Sequence, residues 1–288
     1  MDKKFLELIN KMLSWNNPAT YSGLKNFFKY VATPFCHYDI VVGENKLLYR
    51  IRAHMEKDAE YFCNETDLTF RYDIPNITSF GRCNEPLQSL FYASDNNDIS
   101  IAEVFNKEKL EMLKDVSYVT TGVWSFAKSV TVAPIFEPNN VDVTNEGLVD
   151  VINKCKAYID NFNAIPQKAL LKDFLLSISN EFTKPFTTDE NAYLFSAAYS
   201  NFIFEAIDHF EPIKQMEGIV YPTCKGIDGI RNLGLNYAFR NSIIGYGNKI
   251  ELKYALRGTL KKNSNTVTAT NVIKSVSVDK TTGEITWP

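Results

Sequence analysis

Arginine is scarce in this chain, and its placement is informative. Only seven of the 31 basic residues are Arg, and four of these, Arg50, Arg52, Arg71 and Arg82, lie between residues 50 and 82. The planar guanidinium group suits a two-pronged grip on phosphate or carboxylate. In Lys46-Leu-Leu-Tyr-Arg-Ile-Arg52, strand alternation puts Arg50 and Arg52 on one face and Tyr49 and Ile51 on the other. Two neighbouring cations repel unless an anion lies between them, so the pair predicts an anion site. Arg82 sits in the turn-like stretch Gly81-Arg82-Cys83-Asn84, and Tyr92 and Ser94 belong to Phe91-Tyr-Ala-Ser94. Glu103, in Ile101-Ala-Glu-Val104, is the carboxylate that follows, and Thr223 ends Gly218-Ile-Val-Tyr-Pro-Thr223. Each has a plainer reading. An arginine can form a surface ion pair, Glu103 can be a solvated helix carboxylate, Tyr92 can be a core aromatic, Asn84 can close its own turn, and Thr223 can cap a strand end.

The elements that must hold these residues follow from pattern. Strands are predicted at 46–52, 90–94, 116–126, 128–136, 218–222 and 232–239, with a short one over Phe70–Tyr72. Helices are predicted at 3–14, at 20–31, at 99–114 after the capping run Asp95-Asn-Asn-Asp98, from 144 to 182 with a break near Pro166, and from about 189 to 210. The tail from 249 alternates in β fashion and closes with a hairpin around Asp279–Gly283. Mixed strands and clustered helices predict an α+β chain. Its expected parts are a helical N-terminal extension (1–45), a main domain (46–245) and a β-rich C-terminal extension (246–288) packed on it.

Composition excludes several classes. With 45% hydrophobic residues and 23% charged, the chain reads as an ordinary globular protein. A formal net charge of -3 argues against nucleic acid as a direct partner. No run of 18 apolar residues occurs, so no membrane span is expected, and the first residues turn acidic too early for a secretory signal. Five cysteines without a C-x-x-C, and three scattered histidines, speak against a disulfide framework or a metal site and fit a reducing cytoplasm. No P-loop, G-x-G-x-x-G or G-x-S-x-G is present.

In this order, the segments Tyr49-Arg50, Gly81-Arg82-Cys83-Asn84, Tyr92-Ala93-Ser94, Glu103 and Gly218-Ile-Val-Tyr-Pro-Thr223, followed by Asn232-Leu233, resemble the RES domain family over roughly residues 46–240. The resemblance implies a fold akin to ADP-ribosyltransferases, with two small sheets flanking a cleft for NAD+. It implies cleavage of the bond between nicotinamide and ribose, by phosphorolysis or hydrolysis, with NAD+ as substrate, inorganic phosphate as co-substrate in the phosphorolytic case, and no prosthetic group or metal. Family members include toxins paired with a helix-turn-helix antitoxin and others described as modifying a protein. The alternatives are a non-catalytic NAD- or partner-binding RES-like protein and an ADP-ribosyltransferase acting on a protein.

Carried onto this sequence, the resemblance makes Glu103, Arg50 and Tyr92 the catalytic candidates and Arg52, Arg82, Asn84, Ser94 and Thr223 the substrate-binding ones. Departure of nicotinamide leaves positive charge on the ribose, and a carboxylate such as Glu103 stabilises it. Arg50 and Arg82 would hold phosphate oxygens, with Arg82 alternatively binding inorganic phosphate. Tyr92 would stack on the cationic ring or bond a ribose hydroxyl. Thr223 stands where the family has Ser; it keeps the hydroxyl but adds a methyl that stiffens the side chain. The β edge expected near 276–288 offers a surface for a homodimer.

Overall fold

The computed structural model describes Glu7 and residues 20–31, 40–54, 60–104, 117–140, 146–161, 165–184, 189, 191–206, 216–223, 234–263 and 266–288. β-Branched and aromatic alternation builds one nine-stranded mixed sheet. Its strands are β1 (Ile40–Val42), β2 (Leu47–Ala53), β3 (Phe91–Ser94), β4 (Ser117–Phe126), β5 (Val130–Pro134), β6 (Gly218–Pro222), β7 (Leu235–Phe239), β8 (Ile250–Asn263) and β9 (Thr266–Lys274), in the order β1-β5-β6-β7-β3-β2-β4-β8-β9. All neighbours are antiparallel except β5 and β6.

The sheet is uneven. β2 pairs with β4 along its whole length, whereas β2 and β3 share only the register pair Tyr49↔Ser94. The sheet is therefore two halves joined at a waist, where the resemblance implied two small sheets. Side chains replace the missing ladder at this waist. Arg50 donates from Nη1 to the Tyr92 carbonyl at 2.8 Å, and Ser100 Oγ donates to the Tyr49 carbonyl at 3.0 Å. Backbone carbonyls that lose a strand partner are thereby satisfied.

Six helices complete the described chain: α1 (Tyr21–Val31), α2 (Glu65–Leu68), α3 (Asn97–Val104), α4 (Glu146–Asp160), α5 (Ile165–Phe182) and α6 (Leu194–Ala206). Thr20 caps α1, its hydroxyl accepting from the Gly23 amide at 3.2 Å. The helix then turns Leu24 and Phe28 inward onto α6, where the Phe28 ring meets Phe195 and Tyr199 edge-on, each at 5.0 Å. Asn96 caps α3, accepting from the amides of Asp98 and Ile99. Phe182, at the end of α5, lies 5.3 Å from the Tyr221 ring and carries the helical layer onto β6.

The tail is part of the sheet. β8 lies against β4 from Ser117 to Phe126, and β9 is the outermost strand. Arg257 of β8 is sandwiched between the rings of Tyr118 (3.9 Å) and Tyr61 (4.6 Å) and pairs with Glu60 at 2.5 Å. The terminal hairpin, β10 (Ser277–Val278) with β11 (Ile285–Thr286), turns on Asp279, whose carboxylate accepts from the amides of Thr281 and Thr282, both at 2.7 Å. Trp287 Nε1 donates to the Phe62 carbonyl and pins the chain end.

The strand expected over Phe70–Tyr72 does not form. Arg71 bends to grip Asp73 with two bonds, and Pro75 starts a 3-10 turn over Ile74–Asn76. The helix expected over 3–14 lies outside the described residues except for Glu7, which is helical. So does the part of the 99–114 helix beyond Val104.

Candidate active site

The tight loop at Gly81–Asn84 is held from beneath. The Gly81 amide donates to the Asn84 carbonyl at 3.0 Å, and the Tyr92 hydroxyl donates to Asn84 Oδ1 at 2.8 Å while accepting from the Cys83 amide at 2.9 Å. A Cβ at residue 81 would lie 2.2 Å from Asn84 Oδ1, so only glycine permits this closure. Burial raises the Tyr92 hydroxyl well above its ordinary pKa and pushes the Cys83 thiol up to about 12, so both stay protonated. Asn84 and the Tyr92 hydroxyl thus serve the loop, and the loop presents Arg82.

Arg82 is gripped on several sides. Its Nη1 donates to the Phe182 carbonyl at 2.6 Å, at the C-terminal end of α5 where a cation is favoured. Its guanidinium lies over the Tyr193 ring at 4.8 Å. Its Nη2 stands 4.0 Å from Glu103 Oε2.

Glu103 reaches this point from α3. Its Oε1 accepts from Asn236 Nδ2 at 2.9 Å, and Asn236 Oδ1 accepts from the Ser94 hydroxyl. The register pair Ser94↔Asn236 between β3 and β7 sets that contact. One chain of polar groups, Ser94–Asn236–Glu103–Arg82, therefore joins β3, β7, α3 and the Gly81 loop. Asn236 donates and accepts at once, which fixes its amide orientation. Ser94 and Asn236 are buried, whereas the Glu103 side chain keeps about 20% of its surface exposed. The carboxylate thus has a rigid interior footing and an outward edge.

Arg50 and Arg52 lie apart from this chain. Arg50 Nε donates to the Thr69 carbonyl at 2.7 Å, besides its bond to Tyr92, and the guanidinium covers the Phe91 ring at 5.3 Å. Burial, then the neighbouring charge of Arg52, lowers its pKa to about 10. Arg52 donates to the Asp67 carbonyl at 2.6 Å and lies over Phe62 at 5.3 Å. Among the described residues no carboxylate forms an ion pair with either side chain. Thr223 is buried at the end of β6; its amide donates to the Gly234 carbonyl at 3.3 Å, and its Oγ1 has no hydrogen-bond partner among the described residues. Beside it, burial raises the Tyr221 hydroxyl well above its usual range, with Cys83 and Tyr92 adding to the effect.

The structure thus joins Ser94, Glu103 and Arg82, puts Asn84 and the Tyr92 hydroxyl beneath the loop, and sets Arg50 and Arg52 at a separate position. Asn236 was not singled out in sequence. Its signal was an amide in the otherwise apolar run Leu235-Asn-Tyr-Ala-Phe239. Nothing in sequence marked the contact of Tyr193 with Arg82. No group of three or more His, Cys, Asp or Glu able to hold a metal ion occurs among the described residues, and no described helix is long and apolar enough to cross a membrane. Comparison with protein-family models, curated proteins and solved structures finds no match.

Proposed function

We propose that this chain cleaves the nicotinamide–ribose bond of NAD+ on a RES-type, ADP-ribosyltransferase-like scaffold. The observation that carries the reading is the polar chain Ser94–Asn236–Glu103–Arg82, which groups residues from three of the segments that resemble the RES family. In the reaction the C1′–N1 bond breaks, its electron pair leaves with nicotinamide, and positive charge builds on the ribose. Glu103, held by Asn236, is the anion that stabilises this charge. An oxygen of inorganic phosphate or of water forms the new bond to C1′; with water, one proton is released. Arg82 binds the pyrophosphate or the attacking phosphate. Arg50 and Arg52, which form no ion pair with a carboxylate among the described residues, suit the remaining phosphate charge. Thr223 offers its hydroxyl to the substrate in the role of the family's serine. A helix-turn-helix antitoxin partner and a homodimer belong to the same reading.

The test is mass spectrometry of NAD+ incubated with the protein, with and without phosphate. Phosphate-dependent ADP-ribose phosphate indicates phosphorolysis, and ADP-ribose in both reactions indicates hydrolysis. Glu103→Gln should lower either by about 10²- to 10³-fold. Intact NAD+ in both reactions overturns the cleavage reading, and tight calorimetric binding of uncleaved NAD+ would then mark a binding protein.

A further inference from the structure

Asp95 directly follows Ser94 at the end of β3 and precedes α3, the helix of Glu103. It makes a reciprocal pair with Leu235, the residue before Asn236. The Asp95 amide donates to the Leu235 carbonyl at 3.1 Å, and the Leu235 amide donates to Asp95 Oδ1, also at 3.1 Å. The contact closes the β3–β7 ladder one step beyond Ser94↔Asn236. Space is reserved for it: a Cβ at residue 234 would lie 2.7 Å from Asp95 Oδ1 and 2.3 Å from Ile99 Cδ1 of α3, so Gly234 lets the carboxylate and the helix approach the strand together. The second oxygen, Oδ2, is buried without a hydrogen-bond partner among the described residues. A helix cap does not explain this arrangement, because Asn96 already caps α3.

We propose that Asp95 is a positioning residue, which locks α3 to β7 and so sets the Asn236 amide against the Glu103 carboxylate. It touches no substrate and acts through Asn236. The inference rests on the NAD+-cleaving reading for its functional consequence but not for its structural one, and the experiment separates the two.

Asp95→Ala removes the acceptor, and Asp95→Asn retains an oxygen at the Oδ1 position. In the full chain, Asp95→Ala should lower kcat for nicotinamide release on the order of 10²-fold with KM for NAD+ changed less than about twofold, as expected for a misplaced catalytic group. Asp95→Asn should restore kcat to within about threefold of the parent. Independently of activity, the Asn236 side-chain amide signal, assigned by its loss in Asn236→Ser, should move in Asp95→Ala and keep its position in Asp95→Asn. A parent protein that releases no nicotinamide overturns the NAD+ reading alone; the amide signal then decides the role of Asp95. An Asn236 signal unmoved by Asp95→Ala overturns the inference whatever the turnover.

Discussion

Arg82 and Arg50 are both held by backbone carbonyls and an aromatic ring, yet their surroundings differ in one respect. Arg82 faces a carboxylate at 4.0 Å, while Arg50 faces Arg52 and forms no ion pair with a carboxylate among the described residues. The first arrangement is internally balanced and orients the Glu103 carboxylate. The second leaves two like charges side by side at the sheet's waist. Where opposite charges meet, their attraction helps fix the geometry; where like charges meet, backbone carbonyls and aromatic rings hold the two guanidinium groups against their repulsion.

The largest expected effect comes from breaking the balanced side. Glu103→Gln should cut NAD+ turnover by about 10²- to 10³-fold while leaving the thermal midpoint within a few degrees, because the side chain is partly exposed and Gln can still accept from Asn236. Measuring turnover beside a melting curve checks both statements. Asn236→Ala should act on both rate and stability, since it strands Ser94 and frees Glu103. A loss of about 1–3 kcal/mol in denaturant unfolding is expected, with a rate loss smaller than that of Glu103→Gln.

Gly81→Ala tests the loop beneath Arg82. The added Cβ would collide with Asn84 Oδ1 at 2.2 Å, so the loop must shift and stability should fall by about 1–3 kcal/mol in urea unfolding. Arg82→Lys should cost about 1–2 kcal/mol in the same assay, since Lys loses the fork that bonds the Phe182 carbonyl and stacks on Tyr193, and should weaken the phosphate dependence of NAD+ turnover measured separately.

The pH dependence of Asp95 is next. Burial pushes its carboxyl up to about 6 from an ordinary 3.8, with Lys46 and the Leu235 amide opposing the rise and Tyr49 and Tyr237 as further titratable neighbours. The folded state holds the proton more tightly than the unfolded chain. This stabilising contribution is fully present below about pH 4 and lost as pH rises through about 6, by roughly 3 kcal/mol at the limit. Asp95→Asn, which cannot ionise, should therefore gain stability over the parent at pH 7.5 that it does not show at pH 4; equal differences at both values would refute the assignment. The smallest effect belongs to the unbalanced side. Arg52→Gln removes a repelling neighbour of Arg50 and should leave folding within about 0.5 kcal/mol, while raising KM for NAD+ several-fold without changing kcat.

Local pattern made much of the scaffold legible. The alternation of Lys46–Arg52 foretold β2, the apolar run at 218–222 foretold β6, and the helix expected over 20–31 is α1. Phe70–Tyr72 misled: the segment bends into the 3-10 turn over Ile74–Asn76, with Arg71 bonded to Asp73. Asp95 read as a helix cap, a role Asn96 took. Its bond to Leu235 spans 140 residues, and a contact of that separation has no local signature.

Residue types and spacing alone determined which groups this protein has to work with: few arginines gathered early, one carboxylate nine residues after a serine, and strands and helices in mixed order. Strand periodicity also determined that Arg50 and Arg52 share a face, since side chains alternate with a period of two. Only the tertiary structure decided that β3 lies between β7 and β2, and with it that Asn236 bridges Ser94 to Glu103 while Arg50 fills the waist. Strand order is a competition among distant pairings, settled by burial and hydrogen bonding across the whole sheet, which no short window of sequence contains.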